Sequence, residues 1–120
     1  MGSRNFSSNL LKGHTDTIIL NLLMEGDKYG YEIRNLILER TGGVWELKES
    51  TMFSSLKRLE DEGAVDSYWG DESHGGRRKY YRITNRGKRI YLQNKHNWEM
   101  AKRLLDHLLS NKKTSREEYS

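Results

Sequence analysis

The segment from Ser67 to Thr84 constrains this chain most, because two aromatic, strand-like runs flank a glycine pair that leads directly into three cations. Apolar and polar residues alternate in both runs, which predicts a β-hairpin. The residues of its tip are Gly75, Gly76, Arg77, Arg78 and Lys79. A cationic tip beside tyrosines suits a phosphate backbone and a minor groove, so nucleic acid is the first candidate partner. The alternative is a solvated tip, since runs of charge usually face water.

Composition limits the remaining classes of protein. The chain has 120 residues, 34% of them hydrophobic and 32% charged, so we expect one domain with a modest core. Its net charge of +4 is concentrated between Arg77 and Arg89, a stretch without acidic residues. Cysteine is absent, which excludes disulfides and thiolate metal sites. No apolar run approaches the roughly 20 residues of a membrane span, so we expect a cytoplasmic protein with no membrane partner.

Apolar spacing predicts three helices ahead of the hairpin. The first carries an apolar stripe from Leu10 to Leu23 and stops at the Gly-Asp pair of residues 26–27. The second runs from about Tyr29 to Thr41 and ends at a glycine pair. The third runs from Glu49 to Glu62, with Gly63 at its C-terminal cap. The inward face of this third helix is predicted to consist of Met52, Phe53, Leu56 and Leu59.

The other face of the third helix is polar and basic. Its residues are Ser50, Thr51, Ser54, Ser55, Lys57 and Arg58. Short hydroxyl residues are disfavoured inside helices, so several of them together indicate a contact surface. Lys57 and Arg58 have a competing role, because Asp61 and Glu62 stand three or four residues away and can form ion pairs with them.

A long helix is predicted after the hairpin, from about Asn85 to Asn111, with Thr84 or Asn85 as N-cap and in spite of Gly87. One set of its positions repeats at steps of three and four: Tyr91, Asn94, Trp98, Ala101, Leu105 and Leu108. Such a seam usually packs against another helix, so this segment is predicted to be a dimerisation helix.

Three helices followed by a two-stranded hairpin is the order of a winged helix-turn-helix, in which the third helix enters the major groove and the hairpin is the wing. The predicted fold class is mainly α with a small β-hairpin. We expect a winged helix-turn-helix DNA-binding domain over residues 8–84 and the dimerisation helix over residues 85–111. Residues 1–7 and 112–120 are expected to be flexible.

Signatures of catalysis are missing from the sequence. The four histidines (His14, His74, His96 and His107) lack metal-ligand spacing, and His14 is interpreted as an isolated polar residue. Gly75-Gly76 stands between strands instead of ahead of a helix, unlike a phosphate-binding loop. We therefore expect no catalytic residue, no metal and no cofactor.

Three segments together resemble the PadR family of bacterial transcriptional regulators: TDTIILNLLMEGDKYGYEI, STMFSSLKRLEDEGAV and SYWGDESHGGRRKYYRITNRG. The resemblance runs from about Leu10 to Leu109 and is greatest to the short branch with one C-terminal helix, which includes multidrug-responsive repressors. At the start of the third helix the sequence has Lys48-Glu49, where family members commonly have a Ser-Pro or similar cap.

The resemblance implies a homodimer whose C-terminal helices pack against the partner's first helix. It also implies an effector pore at the dimer centre, with the two Trp98 residues facing each other. The candidate effector-binding residues of this sequence are Trp98, Asp16, Lys95 and Lys102, and the sequence departs from the family pattern in having Lys95, Asn97 and Lys102 around Trp98. The multidrug branch tends to have apolar and acidic residues there. Trp98 has a second interpretation, in which it only packs in the dimer core.

The sequence as a whole predicts a dimeric repressor that binds a near-palindromic operator in double-stranded DNA and is released by a small planar aromatic effector. One alternative is a winged-helix protein-interaction module without sequence-specific DNA binding. A basic RNA-binding role is a more distant alternative.

Overall fold

Helices and a small sheet alternate along the part of the chain that the computed structural model describes, which is Leu11 and residues 13–70 and 77–111. In chain order its elements are α1 (Thr15–Met24), β1 (Lys28–Tyr29), α2 (Gly30–Arg40), α3 (Glu49–Asp61), β2 (Val65–Trp69), β3 (Lys79–Ile83) and α4 (Asn85–Leu108). The expected fold class, mainly helical with a small winged hairpin, is confirmed. The two termini that were expected to be flexible and the tip residues Gly75 and Gly76 lie outside the described residues.

The core lies where α1, α2 and α3 meet the inner side of the hairpin. Its fully buried side chains are Ile19, Leu20, Leu23, Ile33, Met52, Leu56, Leu59 and Val65. Met52, Leu56 and Leu59 share one side of α3 because steps of four and three return to the same face of a helix. Phe53 was expected on that face and instead is 45% exposed, since it stands one residue around the helix from Met52.

A short strand that the sequence did not reveal joins the hairpin. Tyr29 was expected to begin the second helix, but it lies in β1, opposite Tyr80. The sheet is antiparallel with the order β1-β3-β2, so β3 is the central strand. In the hairpin Val65 lies opposite Ile83, and Trp69 lies opposite Lys79 at the end away from the core.

The last helix begins inside the core. The Thr84 hydroxyl caps α4 by accepting a hydrogen bond from the Gly87 amide at 3.0 Å. Farther along, the Tyr91 hydroxyl donates to Oδ1 of Asn21 on α1 at 2.7 Å, and the Asn94 side chain donates to Oγ1 of Thr17 at 3.0 Å. The first turns of α4 are therefore fixed to α1 of the same chain.

Beyond Trp98, α4 and its C-cap residue Leu109 carry large apolar side chains that face water. Leu108 and Leu109 are 77% and 78% exposed, and Leu104 and Leu105 are about half-exposed. Exposed apolar residues in such a row usually mark a surface for association.

Candidate nucleic-acid interface

The polar side of α3 forms a shallow groove of about 270 Å³. We call it the α3 groove; its lining residues are Thr15, Ser50, Thr51, Ser54, Ser55 and Arg58. Ser50, Ser54 and Lys57 are exposed, as the sequence predicted. Lys57 also forms the expected ion pair with Asp61, at 3.6 Å, but both side chains are so exposed that the pair is weak. Lys57 therefore remains available to an anion.

Ser55 is the exception on this side of α3, because only 2% of it is exposed. The sequence grouped it with the surface residues, and that placement is wrong. Ser55 follows Met52 by three residues and precedes Leu59 by four, which puts it at the edge of the buried face. Its hydroxyl accepts a hydrogen bond from Nη2 of Arg58 at 3.3 Å. Ser55 therefore supports Arg58 and offers little surface to an outside partner.

Arg58 is held by Asp16 of α1. Its Nη2 donates to Oδ1 of Asp16 at 2.6 Å, and its Nε donates to Oδ2 at 3.2 Å. This hydrogen-bonded contact raises the pKa of Arg58 above its ordinary value. The structure thus differs from two expectations: the side-chain hydrogen-bond partner of Arg58 lies 42 residues away, and Asp16 pairs with α3 and does not line the grooves beside Trp98.

Each described cation of the wing tip lies over an aromatic ring. The guanidinium of Arg77 lies 5.0 Å from the centre of the Trp69 ring, and that of Arg78 lies 4.8 Å from the Tyr29 ring. Nζ of Lys79 lies 5.8 Å from the Tyr81 ring. All three cations are exposed. Stacking of this kind orients a cation without neutralising its charge.

A row of tyrosines crosses the three strands and includes the Tyr29 ring beneath Arg78. Tyr80 on the central strand stacks on Tyr68 with ring centres 5.7 Å apart and meets Tyr29 edge-on at 5.5 Å. The Tyr68 hydroxyl donates to Asp27 at 2.6 Å, which raises the pKa of Tyr68. Arg82 lies over the outer Tyr68 ring, at 5.4 Å. The tyrosines are visible in the sequence, but their row is not, because the row depends on β1.

A second groove, of about 310 Å³, lies between α1 and α4. We call it the Trp98 groove; its lining includes Leu11, His14, Ile18, Tyr91, Lys95 and Trp98. The His14 ring meets Trp98 edge-on at 4.9 Å, so His14 is not the isolated residue that the sequence indicated. Lys95 lines this groove, whereas Lys102 is exposed and is not part of the lining.

Comparison with known proteins identifies the family. The model of the transcriptional regulator PadR-like family matches residues 19–94. The chain belongs to the PadR-like family. This is a family of transcriptional regulators and not of enzymes, as the sequence resemblance implied.

Individual PadR-like proteins agree with this assignment. A transcriptional regulator from Clostridium thermocellum is 43% identical, with a TM-score of 0.80 over 88% of this chain and 99% of that chain. The negative transcriptional regulator PadR of Bacillus subtilis (strain 168) is 34% identical over 80 residues, which are 67% of this chain and 42% of that protein. The crystal structure of Bacillus subtilis PadR in complex with operator DNA is 31% identical, with a TM-score of 0.58 over 69% of this chain and 45% of that chain. The chain thus spans less than half of the Bacillus subtilis regulator.

The described residues contain neither a candidate metal site nor a candidate membrane-spanning helix. No group of three or more His, Asp or Glu side chains there could hold a metal ion. Within the same residues, every helix is too short or too polar to cross a membrane.

Proposed function

We propose that this PadR-like regulator is a dimeric repressor that binds a near-palindromic DNA operator and is released by a small planar aromatic molecule. The observation that carries the DNA-binding part is the pair of exposed, cation-bearing surfaces on α3 and on the wing. In a winged helix these are the two elements that meet DNA, α3 in the major groove and the wing beside it. A DNA-bound relative of the same fold supports the assignment. With DNA as its partner, the protein would work in the cytoplasm.

The two surfaces suit different parts of DNA. The α3 groove presents short hydroxyl side chains and Arg58, which can reach the edges of bases. Arg77, Arg78 and Lys79 are exposed cations, which suit phosphates or the narrow minor groove. We therefore assign sequence reading to Ser50, Thr51, Ser54 and Arg58, and general attraction to the wing and Lys57.

Dimerisation accounts for the exposed leucines of α4. Leu104, Leu105 and Leu108 lie on one side of the helix and would be shielded from water by a second copy. A two-fold dimer presents two copies of α3, so its operator would be near-palindromic, with half-sites about one helical turn apart. A repressor role fits the name of the Bacillus subtilis relative, a negative transcriptional regulator.

The Trp98 groove is our candidate effector site. Its walls are mainly apolar, and the exposed indole of Trp98 offers a face on which a planar ring can stack. Lys95 and His14 are the only ionisable side chains besides Tyr91 among the described residues of its lining. A neutral or anionic aromatic molecule therefore fits this groove better than a cationic one.

A gel shift on the DNA upstream of the protein's own gene, repeated over a range of salt, tests the DNA-binding part. We expect the logarithm of the affinity to fall linearly with the logarithm of the salt concentration, because bound cations release counterions from phosphates. We also expect the upstream DNA to bind more tightly than random duplex. A flat salt dependence would favour the protein-interaction module, and preference for RNA over duplex DNA would favour the RNA-binding alternative.

A further inference from the structure

Arg58 and Asp16 form a contact that DNA binding by itself does not require. Asp16 places a negative charge at the edge of the proposed DNA surface, where it repels phosphates. Its carboxylate is nevertheless bound in two places by Arg58, at 2.6 and 3.2 Å. Asp16 thus opposes DNA binding and at the same time binds Arg58 of the α3 groove, and this combination needs a physical explanation.

The hydrogen bonds of Arg58 show which N–H groups of its guanidinium are not bound by Asp16. A guanidinium has five N–H groups, one on Nε and two on each terminal nitrogen. Nε and Nη2 donate to Asp16, and Nη2 also donates to Ser55. Among the described residues, Nη1 has no hydrogen-bond partner. The two N–H groups of Nη1 are thus presented by a side chain that is fixed at its other donors.

We infer that Asp16 is a positioning residue that turns Arg58 from a mobile cation into a reader of DNA sequence. This inference rests on the proposed function. Held by Asp16 and Ser55, Arg58 presents Nη1 in one orientation in the α3 groove, where an acceptor on a base edge can bind it. The Asp16 charge also offsets the charge of Arg58, so the pair attracts phosphates of any sequence only weakly. Asp16 thereby lowers the affinity for random DNA and raises the ratio of operator affinity to random-DNA affinity.

The chain supplies a matched control for this inference. Glu25, directly after α1, binds Arg40 through both carboxylate oxygens, at 2.7 and 2.8 Å. Asp16→Asn and Glu25→Gln each remove one negative charge and one two-point contact with an arginine. Arg40 belongs to α2 and does not line the α3 groove. The two substitutions therefore differ mainly in which arginine they release.

The test measures affinity for operator and for random duplex over a range of salt, using wild type, Asp16→Asn, Glu25→Gln and Arg58→Lys. For Asp16→Asn we expect tighter binding to random DNA and a salt slope steeper by about 0.9 for each subunit. We also expect the ratio of operator affinity to random-DNA affinity to fall by about tenfold. Arg58→Lys keeps the charge but loses the planar fork, so it should lose discrimination as well. Glu25→Gln should match wild type in all three quantities.

Three outcomes separate the ideas under test. If Asp16→Asn keeps the wild-type ratio of operator to random affinity, Asp16 does not position Arg58 and the inference is wrong. If Asp16→Asn does not fold, Arg58→Lys decides, and an unchanged ratio in that variant overturns the inference. If wild type itself binds operator and random DNA equally, the proposed function fails first and the inference fails with it.

Discussion

A Cβ atom on Gly87 would overlap the backbone carbonyl oxygen of Ala64, because the first turn of α4 lies directly against the turn that follows α3. The same atom would lie 2.8 Å from Cγ1 of Ile83, inside the ordinary contact distance. Glycine at this position therefore allows α4 to begin inside the core, and the close approach joins the wing, α3 and the last helix.

The close approach makes Gly87→Ala destabilising, although alanine is normally the better helix former by about 1 kcal/mol. Extra atoms in a packed core typically cost about 1–3 kcal/mol, and the overlap with the backbone carbonyl of Ala64 places this substitution at the upper end of that range, above the gain in helix propensity. We expect the melting temperature to fall by at least several degrees, measured by circular dichroism. Gly13→Ala is the control, because nothing lies within 4 Å of a Cβ there. Equal melting of Gly87→Ala and wild type would mean that α4 can shift away from Ala64.

Much of the fold could be predicted from glycines and apolar spacing. One glycine pair follows α2 and single glycines follow α1 and α3, and steps of three and four show which faces are buried. β1 was missed because two residues are too few to show alternation. The close approach at Gly87 was also missed, since it depends on how α4 packs. The sequence indicated only that a glycine stands within a helix.

The candidate site was predictable in its charges but not in its pairings. The basic tip and the polar face of α3 are visible as runs of residue types. The contact between Asp16 and Arg58 spans 42 positions, and no local pattern marks it. Ser55 was misplaced because it lies at the boundary between two faces, where a shift of one residue decides whether a side chain is buried.

The wing cations should contribute to binding of every DNA sequence. We expect Arg77→Ala combined with Arg78→Ala to weaken binding to operator and random duplex by similar factors. The salt slope should become shallower by about 0.9 for each phosphate that the variant no longer neutralises. Melting temperature should hardly change, because both side chains are exposed. Lys102→Ala combined with Arg103→Ala removes the same charge from α4 and serves as the control. Wild-type affinity of the wing variant for operator DNA would refute this role.

The exposed leucines of α4 should hold the dimer together. Leu105→Asp would place a charge in the centre of the proposed interface, so we expect sedimentation velocity to show a monomer at concentrations where wild type is a dimer. His96→Asp is the matched control, since it lies nine residues earlier, about two and a half helical turns away, on the opposite side of α4. If both variants sediment as wild type does, the dimer forms through another surface.

The Trp98 groove should bind planar aromatic molecules, one for each dimer if the two grooves meet at the two-fold axis. We expect Trp98→Ala to lose most of the affinity for a planar anionic dye, measured by calorimetry so that loss of indole fluorescence does not confuse the result. Trp69→Phe, at the exposed end of the wing, should bind the dye as wild type does. Identical affinities in all three proteins would show that Trp98 only packs.

Operator DNA and the effector should weaken each other by the same factor. Coupling between two such sites is typically about 1–3 kcal/mol and is reciprocal by thermodynamic necessity. We expect saturating dye to lower the affinity for operator DNA by some factor. Saturating operator DNA should then lower the affinity for the dye by the same factor. If the dye binds equally well with and without operator DNA, a ligand in the Trp98 groove does not release the protein from DNA.

The central position of β3 ties the wing to the corner between α1 and α2. Tyr29 and Tyr68 both lie opposite Tyr80, so β3 is paired on both sides at Tyr80 and Tyr81 and with β2 alone in the rest of its length. A hairpin held along one edge could swing about its base, whereas this one passes any tilt of the α1–α2 corner on to Arg78. A substitution at Lys28, which lies opposite Tyr81, would therefore change the position of the basic tip through β3 and through the Tyr29 ring that lies beneath Arg78.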